Sequence, residues 1–274
     1  MNYRHAYHAG NEADCLKHAL LVLLLRTLAR KPKPLLVLDT HAGIGAYDLA
    51  GVEAEKTGEW RQGIGRLQEA GPPALADYLA LIRDPGQYPD QYPGSPALAR
   101  ALVGPGDRLA LCELHPEDAA LLKRRFRGDP TVQVHHRDGY EALGALLPPP
   151  EKRALVLIDP PYERIDEFST LASALDAARK KFPSGVFAAW YPVKHRRPVR
   201  EFFTDLAARG IPDMIACELL LRPTLDPAKL NGSGLLIVNP PYGFETEAAP
   251  ILTALRTTLA DADGDATITR LADE

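Results

Sequence analysis

The feature that most constrains the fold of this chain is a short apolar run, Leu155 to Ile158, that ends abruptly in the sequence Asp159-Pro-Pro-Tyr162. Four aliphatic residues bounded by a charge and two prolines are typical of a buried parallel strand, because helices cover such strands on both faces. Asp159 therefore lies at the carboxyl end of a strand. Ligands bind at this edge of open α/β sheets, so we expect an acid, two residues without amide donors and an aromatic side chain in one cleft.

A second apolar run, Leu35 to Leu38, predicts the first strand, and the glycine-bearing turn Asp39-Thr-His-Ala-Gly-Ile-Gly45 follows it. Glycine is needed where backbone passes close to a ligand, and Gly43 and Gly45 stand where a nucleotide loop is expected. The third glycine of a dinucleotide fingerprint is missing. The pattern instead resembles the first motif of S-adenosylmethionine (SAM) methyltransferases, although a merely tight connection explains such a turn about as well.

A long segment separates this turn from the next strand, which comes later than a compact nucleotide-binding unit would place it. Apolar residues recur with helical spacing between Gly58 and Arg83, with a break at Gly71-Pro-Pro73. We predict a small helical insertion over residues 48–91. It either walls one side of the cleft or only stabilises the fold.

The sequence Tyr92-Pro-Gly-Ser-Pro96 predicts the start of the delayed helix, with Ser95 at the N-cap and Pro96 in the first turn. A helix N-terminus attracts a carboxylate. Ser95 is therefore either a cap alone or a cap that also helps to hold the methionine carboxylate of SAM.

Acidic residues follow two further predicted strands. Glu113 ends the strand Arg108 to Cys112, and an ionised carboxylate can accept hydrogen bonds from two ribose hydroxyls, although a surface acid on a turn is the simpler alternative. Asp138 and Gly139 follow the strand Val132 to His135. There a carboxylate can contact an adenine amino group and a glycine leaves space for the ring, or Asp138 caps the following helix.

The same motif letters occur a second time, because Leu235 to Val238 is followed by Asn239-Pro-Pro-Tyr242. Both copies present a side-chain oxygen after an aliphatic run. Strand order favours Asp159, which comes directly after the ribose and adenine acids, whereas Asn239 follows a late strand expected near the far edge of the sheet. We predict that Asp159 carries the chemistry and that Asn239 only ends a strand.

The N-terminal residues 1–18 are rich in polar and aromatic side chains and permit three interpretations. The first is a solvated tail that leads into a helix from Asp14 to Arg30 with one buried stripe of leucines. The second is a zinc site, because the spacings of four side chains also occur at such sites, although nothing else marks one. The candidate ligands are His5, His8, Cys15 and His18.

The third interpretation fits the other motifs better: a basic, aromatic lip that grips a phosphodiester and stacks on a base. The residues of this lip are Tyr3, Arg4, His5 and Lys17. A second basic patch follows Trp190-Tyr-Pro192 and either holds the same strand or is a solvated run of charges. Its residues are Lys194, Arg196, Arg197 and Arg200.

Composition limits the classes of function. Lys plus Arg total 32 against 36 Asp plus Glu, and the formal charge of -4 argues against a protein that coats nucleic acid through bulk charge. The 3 cysteines are far apart and suit a reducing compartment better than a disulfide framework. The longest early apolar run, Ala19 to Leu25, is too short to span a membrane. We expect a soluble, cytoplasmic protein with a full core.

Several motifs together resemble those of one family. D-P-P-Y after a strand is similar to the signature of methyltransferases that modify exocyclic amino nitrogens of adenine or cytosine. The N-terminal run Y-R-H-A-Y-H-A-G-N-E-A-D-C-L-K-H, with D-T-H-A-G-I-G, Y-P-G-S-P, E-L-H-P, D-G, I-D-P-P-Y and W-Y-P, resembles the RlmJ family of 23S ribosomal RNA adenine-N6 methyltransferases.

The resemblance implies a Rossmann-like α/β fold in which helices flank a central, mostly parallel sheet. Residues 1–274 would form one SAM-dependent methyltransferase domain, with residues 1–18 folding over the active site. The enzyme would methylate protein-free 23S ribosomal RNA before or early in ribosome assembly and release S-adenosylhomocysteine, with no metal and no obligatory protein partner.

The resemblance also assigns roles to individual residues. Asp159 would be catalytic, a role to which the chemistry of amino methylation adds Pro160 and Tyr162, and Tyr3 would lie near the RNA. The SAM site would comprise His18, His41, Ser95, Glu113, Asp138, Gly139 and Asp159, and the glycine-bearing turn adds Gly43 to the residues expected there.

The chemistry of amino methylation explains the motif. An adenine amino nitrogen is a poor nucleophile, because its lone pair is delocalised into the ring. Asp159 and the carbonyl of Pro160 can accept its two N–H groups, and Tyr162 can stack on a base that is splayed out of the RNA. The rival functions are a DNA or protein-glutamine amino methyltransferase and a non-catalytic RNA-binding module that has kept the fold.

Overall fold

Most of the chain forms one open sheet with helices on both faces. The computed structural model describes residues 4–83 and 91–273, and no helix within these residues is long and apolar enough to cross a bilayer. The strands are β1 (Leu36–Asp39), β2 (Ala46–Tyr47), β3 (Tyr92–Pro93), β4 (Arg108–Glu113), β5 (Val132–His136), β6 (Ala154–Ile158), β7 (Val186–Val193), β8 (Met214–Leu220), β9 (Gly232–Val238) and β10 (Asp265–Ala272). The α-helices are α1 (Glu12–Ala29), α2 (Val52–Thr57), α3 (Ile64–Ala70), α4 (Ala76–Arg83), α5 (Ser95–Leu102), α6 (Pro116–Arg125), α7 (Gly139–Leu146), α8 (Glu167–Lys181), α9 (Arg196–Ala208) and α10 (Phe244–Leu259).

The main sheet has the strand order β10-β8-β9-β7-β6-β1-β4-β5, and β2 and β3 form a separate antiparallel ribbon. Strands β7, β6, β1, β4 and β5 are parallel. Strand β9 is antiparallel to β7 and β8, and β10 is antiparallel to β8. The predicted α/β fold with a mostly parallel central sheet is confirmed. The chain runs outward from β1 to β4 and β5 and then returns to β6 on the other side of β1, so the strand order reverses beside β1.

Alternate residues of β1 face opposite sides of the sheet. Val37 packs into a core with α1, α5, α6 and α10, whereas Leu36 and Leu38 pack into a core with α7, α8 and α9. All residues of β1 and β6 are buried. Cover on both faces explains why the two runs are continuously apolar rather than alternating.

Helix α1 is buried on nearly all sides, so the predicted single stripe of leucines is wrong. Every residue from Asp14 to Leu25 is buried, because α1 packs against β9, α5 and α10. Asn11 caps the helix by accepting a hydrogen bond from the backbone N–H of Asp14 at 3.0 Å. The polar residues Asp14, Lys17 and His18 are consequently buried together with the leucines.

Three short helices, α2 to α4, occupy residues 48–83 between β1 and α5. The β2–β3 ribbon pairs Ala46 with Pro93 and Tyr47 with Tyr92 at the base of this segment. Residues 84–90 of the predicted insertion lie outside the described residues. Leu67 of α3 and Tyr78 of α4 belong to the core that includes α1, so this segment packs directly on the domain.

Candidate active site

The reversal of strand order beside β1 brings two acids to one edge of the sheet. Asp39, the last residue of β1, pairs in register with Leu157 of β6, and Asp159 directly follows that strand. Asp39 is buried and accepts hydrogen bonds from the Ser95 hydroxyl at 2.6 Å and the His41 backbone N–H at 3.2 Å. Burial, with a smaller contribution from the charge of Asp159, raises the pKa of Asp39 to about 6.

A lysine of α1 holds Asp159. Lys17 Nζ lies 2.5 Å from Asp159 Oδ2 and 2.8 Å from Asp14 Oδ1. Asp14 Oδ2 accepts a hydrogen bond from the backbone N–H of Gly10 and lies 2.9 Å from His5 Nε2. A continuous line of polar contacts therefore joins the N-terminal segment to the acid that follows β6.

Burial and charge oppose each other along this line. The side chains of Asp14 and Lys17 are 1% and 5% exposed, and burial alone disfavours the charged form of each. Burial would raise the pKa of Asp14, but the adjacent His5 and Lys17 hold it well below its usual range. Burial would likewise lower the pKa of Lys17, but the carboxylates of Asp14 and Asp159 raise it well above its usual value. The two carboxylates therefore favour the charged form of Lys17 beside Asp159.

Asp159 lines a cleft of about 510 Å³, and Asp39 lies buried beneath Ser95, which also lines it. One wall is the N-terminal region, a second comprises the loops that follow β1, β3 and β4, and the third comprises the ends of β6, β7 and β8. Its lining includes His5, His8, Asp14, Lys17 and His18 from the first wall, His41, Gly43, Ser95, Glu113 and His115 from the second, and Pro160, Tyr162, Trp190, Lys194 and Arg222 from the third.

Glycine shapes the loop that follows β1. Gly43 has a φ of +59°, and a Cβ at this position would lie 2.2 Å from the hydroxyl of Tyr47. The backbone N–H of Gly43 donates to Glu113 Oε2 at 2.9 Å, and that of His115 donates to Glu113 Oε1 at 2.7 Å. Because each carboxylate oxygen has more than one lone pair, Glu113 can still accept hydrogen bonds from a ligand diol.

Comparison with known proteins gives a consistent result. A family model described as "Ribosomal RNA large subunit methyltransferase D, RlmJ" matches residues 32–271. The chain is 42% identical to ribosomal RNA large subunit methyltransferase J of Haemophilus influenzae over 264 residues, which covers 94% of each protein. It is 40% identical to ribosomal RNA large subunit methyltransferase J of Escherichia coli over 280 residues, which covers 100% of each.

The chain belongs to the RlmJ family. The membership that the motifs predicted is thereby confirmed. Among solved structures, a Legionella pneumophila protein is 37% identical and has a TM-score of 0.87, covering 96% of this chain and 98% of that one. A probable spermidine synthase from Corynebacterium glutamicum is 12% identical with a TM-score of 0.54 and covers 92% of this chain and 74% of that one, which shows a shared fold alone.

Most residues that the glycine-bearing turn and the RlmJ resemblance assigned to SAM lie around the cleft. These are His18, His41, Gly43, Ser95, Glu113 and Asp159. Asp138 accepts hydrogen bonds from the backbone N–H groups of Tyr140 and Glu141 at 2.8 and 3.1 Å, so it caps α7, the alternative that the sequence left open. Its contact with SAM stays a prediction.

The packing of α7 gives a structural reason for glycine at position 139. A Cβ there would lie 2.3 Å from the carbonyl oxygen of Thr40 and 3.0 Å from His41 Cε1. The missing side chain lets the start of α7 pack against the loop after β1, and the space that it would leave for an adenine ring stays a prediction.

Ser95 is not the N-cap of its helix, contrary to prediction. Gly94 is the N-cap and Ser95 is the first residue of α5. Its hydroxyl instead donates to Asp39. Sequence reasoning did not single out Asp39, although its position after a strand is the same signal that identified Asp159.

Aromatic side chains contribute to the third wall of the cleft. Tyr162 has a φ of +50°, and its ring packs edge-on against Trp190 and Phe168 at centroid distances of 5.7 and 5.0 Å. Its hydroxyl donates to the carbonyl of Trp190 at 3.1 Å. A non-glycine residue keeps this backbone conformation only where surrounding contacts enforce it. The stacking of Tyr162 on a base stays a prediction.

The predicted contact of Lys17 with RNA requires a correction. Its ammonium group lies between two carboxylates and is buried, so it holds Asp159 rather than a phosphate. Arg4 pairs with Glu117 on the surface at 2.6 Å. Tyr3 lies outside the described residues.

The residues of the second basic patch, which follows Trp190-Tyr-Pro192, do not share one surface: two form ion pairs and one lines the cleft. Arg196 pairs with the buried Glu218 at 2.6 Å, and Arg197 pairs with Glu201 along α9 at 2.8 Å. Lys194 lines the cleft. Arg222, which sequence reasoning missed, lines it as well. A lone arginine in the loop between two strands carries no signal until those strands are placed in the sheet.

The side chains considered as zinc ligands each contact other protein groups. His5 contacts Asp14, His8 contacts Glu59 at 2.9 Å, His18 contacts Tyr92 at 2.7 Å, and Cys15 Sγ lies 3.8 Å from the carbonyl oxygen of Gly10. Across residues 4–83 and 91–273, no group of three His, Cys, Asp or Glu side chains is arranged to hold a metal ion.

The second motif copy lies at the opposite edge of the sheet. Because β9 is antiparallel to β7, Val238 pairs with Phe187 near the start of β7. Asn239 follows Val238, and its Nδ2 donates to the carbonyl of Gly185 at 3.3 Å. The expectation that this strand lies near the far edge is wrong, since β9 is an interior strand. Strand direction is what separates Asn239 from the cleft.

We expect His18 to reduce stability in acid. His18 is 1% exposed, and burial lowers its pKa from 6.5 to about 3. A histidine with a depressed folded-state pKa contributes full stability above its unfolded pKa and loses it as the pH falls toward the folded value. From pH 7 to pH 5 this group should lower the free energy of unfolding by about 2 kcal/mol. Urea unfolding at pH 7 and pH 5 should show that the His18→Gln variant loses about 2 kcal/mol less free energy of unfolding than the wild type does. Equal losses in the variant and the wild type would contradict this prediction.

Proposed function

We propose that this protein transfers a methyl group from SAM to the N6 amino nitrogen of an adenine in 23S ribosomal RNA, acting on protein-free RNA before or early in ribosome assembly. The observation that carries the proposal is the ion-paired Asp159 at the strand-order reversal, beside Pro160 in a cleft with an aromatic wall. A carboxylate beside a backbone carbonyl complements an amino group with two N–H donors. Membership of the RlmJ family supports RNA as the substrate.

The residues of the cleft fit SAM. Glu113 offers a carboxylate held by two backbone N–H groups and suits the ribose hydroxyls. His115 Nδ1 is buried and has no hydrogen-bond partner among the described residues, so a polar ligand group could satisfy it. His18, His41 and Ser95 also line the cleft. SAM, when bound, supplies an electrophilic methyl group.

Asp159 and Pro160 position the amine. Asp159 Oδ2 contacts Lys17, whereas Oδ1 accepts no hydrogen bond from the described residues and can receive an N–H of the substrate. The Pro160 carbonyl can receive the other N–H, which favours a nitrogen whose lone pair points toward the methyl donor. Methylation makes the nitrogen cationic and strongly acidic, so Asp159 or water can take the proton without being a strong base beforehand.

The test of this function is a comparison of substrates. Purified protein is incubated with tritiated SAM and protein-free 23S ribosomal RNA, DNA or protein, and labelled RNA is digested for nucleoside mass spectrometry. We expect label in RNA as N6-methyladenosine. Label in DNA alone would identify the rival DNA methyltransferase, and RNA binding without any transfer would identify the non-catalytic module.

Lys194 should contribute to RNA binding at the mouth of the cleft. The exposed Lys194 and the partly buried Arg222 place positive charge on the third wall, where a phosphate beside the target base can reach it. Lys194→Ala should weaken RNA binding about five- to tenfold at low salt and reduce the salt dependence by about one phosphate contact, with unchanged SAM affinity. Fluorescence anisotropy at several salt concentrations measures both quantities.

Lys180→Ala is the matched control for that experiment. Lys180 is an exposed lysine near the end of α8, remote from the carboxyl edge of the sheet, and its ion pair with Asp176 is on the surface. If Lys194→Ala and Lys180→Ala lose the same RNA affinity, the effect of Lys194 comes only from the change in net charge and not from a contact at the cleft.

A further inference from the structure

A chain of buried polar groups runs from the helical insertion to His18. Tyr78 of α4, Tyr92 of β3 and His18 of α1 are each 1% exposed. The hydroxyls of Tyr78 and Tyr92 are 3.0 Å apart, and the Tyr92 hydroxyl is 2.7 Å from His18 Nδ1. Hydrogen bonds of this kind are strong in a low dielectric, and each unsatisfied member is costly. These two hydrogen bonds therefore connect three segments that are distant in the sequence.

The other ring nitrogen of His18 faces the line of charges described above. His18 Nε2 lies 3.7 Å from Asp14 Oδ1, the oxygen that also contacts Lys17. Because burial lowers the pKa of His18 to about 3, its imidazole is neutral at physiological pH. A neutral imidazole carries a single proton, so one nitrogen donates and the other accepts.

Two arrangements of protons satisfy the distances. In the first, Tyr78 donates to Tyr92, Tyr92 donates to Nδ1, and Nε2 carries a proton that faces Asp14. In the second, Nδ1 donates to Tyr92 and the lone pair of Nε2 faces Asp14. Asp14 is ionised because His5 and Lys17 outweigh the effect of its burial, so it attracts the N–H of the first arrangement and repels the lone pair of the second.

We propose that Tyr78 and Tyr92 are positioning residues that, together with the charge of Asp14, hold His18 as the Nε2–H tautomer, with this N–H directed at the carboxylate of Asp14. Asp14 holds Lys17, and Lys17 holds Asp159. The insertion is thereby coupled to the acid that receives the substrate amine. This role rests on the proposed function, because methyl transfer is where the coupling has its effect.

The tautomer of the wild-type protein is the first test. Long-range proton–nitrogen NMR spectra distinguish Nε2–H from Nδ1–H imidazole, and the His18→Gln variant assigns the signal. We expect the Nε2–H form between pH 6 and pH 8. A wild-type spectrum with the proton on Nδ1 would overturn the proposal. The measurement requires neither SAM nor RNA, so its outcome is independent of the proposed function.

Tyrosine-to-phenylalanine variants provide the second test, since they remove one hydroxyl and keep the ring. Tyr92→Phe should give mixed His18 tautomers and lower kcat at saturating SAM and RNA about tenfold, the equivalent of one lost hydrogen bond. Tyr78→Phe acts through Tyr92 and should lower kcat about threefold. Turnover is expressed per folded molecule, which separates positioning from a lower yield of folded protein.

Thr27→Val is the matched control, because the buried Thr27 hydroxyl on α1 has no hydrogen-bond partner among the described residues. It should leave tautomer and kcat unchanged. Unchanged tautomer and turnover in Tyr92→Phe would overturn the proposal, and if that variant does not fold, the wild-type spectrum and Tyr78→Phe decide. Tautomer shifts in a protein that transfers no methyl group would support the positioning of His18 and refute only the proposed function.

Discussion

Replacing Asp159 by asparagine is expected to lower kcat for RNA methylation by about 10³- to 10⁴-fold, while SAM still binds. The amide keeps the shape of the side chain but removes the charge that accepts an N–H of the amine. It also removes the negative partner of Lys17 Nζ, now 2.5 Å away. Single-turnover kinetics with saturating RNA measure the chemical step, and calorimetry measures SAM affinity.

Asn239→Gly is the control that the chain itself offers. Asn239 begins the second copy of the motif but lies at the opposite edge of the sheet, and glycine tolerates its φ of +57°. Turnover should stay within about twofold of wild type, since the variant loses one weak hydrogen bond to Gly185. Normal turnover in Asp159→Asn, or a large loss in Asn239→Gly, would exclude the proposed role of Asp159.

Replacing Lys17 by methionine is expected to affect stability and turnover together. The substitution leaves the carboxylates of Asp14 and Asp159 without their shared cation, and Asp14 is 1% exposed. Removing one partner of a buried ion pair lowers the free energy of unfolding by about 3–5 kcal/mol. We also expect kcat to fall by about 10²-fold or more, because Asp159 loses the contact that orients it. Urea unfolding and single-turnover kinetics measure the two effects.

The double variant Asp14→Asn with Lys17→Met separates the effect of Lys17 on stability from its effect on turnover. Neutralising Asp14 removes the buried unpaired charge, so much of the lost stability should return. Turnover should stay low, because Asp159 still lacks its cation. Recovery of turnover in the double variant would show that Lys17 acts through folding alone.

Buried strands and glycine turns were predictable, because their signals are local. The runs at Leu36–Asp39 and Ala154–Ile158 are apolar on both faces, and this pattern alone indicates strands covered by helices. The acids at their ends follow from strand polarity. The motif letters were also sufficient to predict the family, which the comparisons confirm.

Side-chain partners were not predictable, because each depends on elements that are distant in the sequence. Lys17 is a basic residue in a polar segment, and only the burial of α1 places it against Asp159 instead of a phosphate. Ser95 has the sequence context of an N-cap, yet the buried carboxylate of Asp39 competes successfully for its hydroxyl. Arg196 belongs to a run of basic residues in the sequence, but in the structure it forms an ion pair with the buried Glu218.

The twin motifs separate what the sequence determined from what the tertiary structure decided. The sequence by itself determined that Leu155 to Tyr162 is a buried strand ending in an acid and two prolines, since hydrophobic burial and the lack of proline N–H groups act locally. It did not determine the direction of β9. Only the antiparallel pairing of β9 with β7 places Asn239 at the end of the strands opposite the cleft, and only the packing of α1 brings Lys17 to Asp159. Both depend on long-range contacts, which determine the position of a side chain but cannot be inferred from the residues next to it in the sequence.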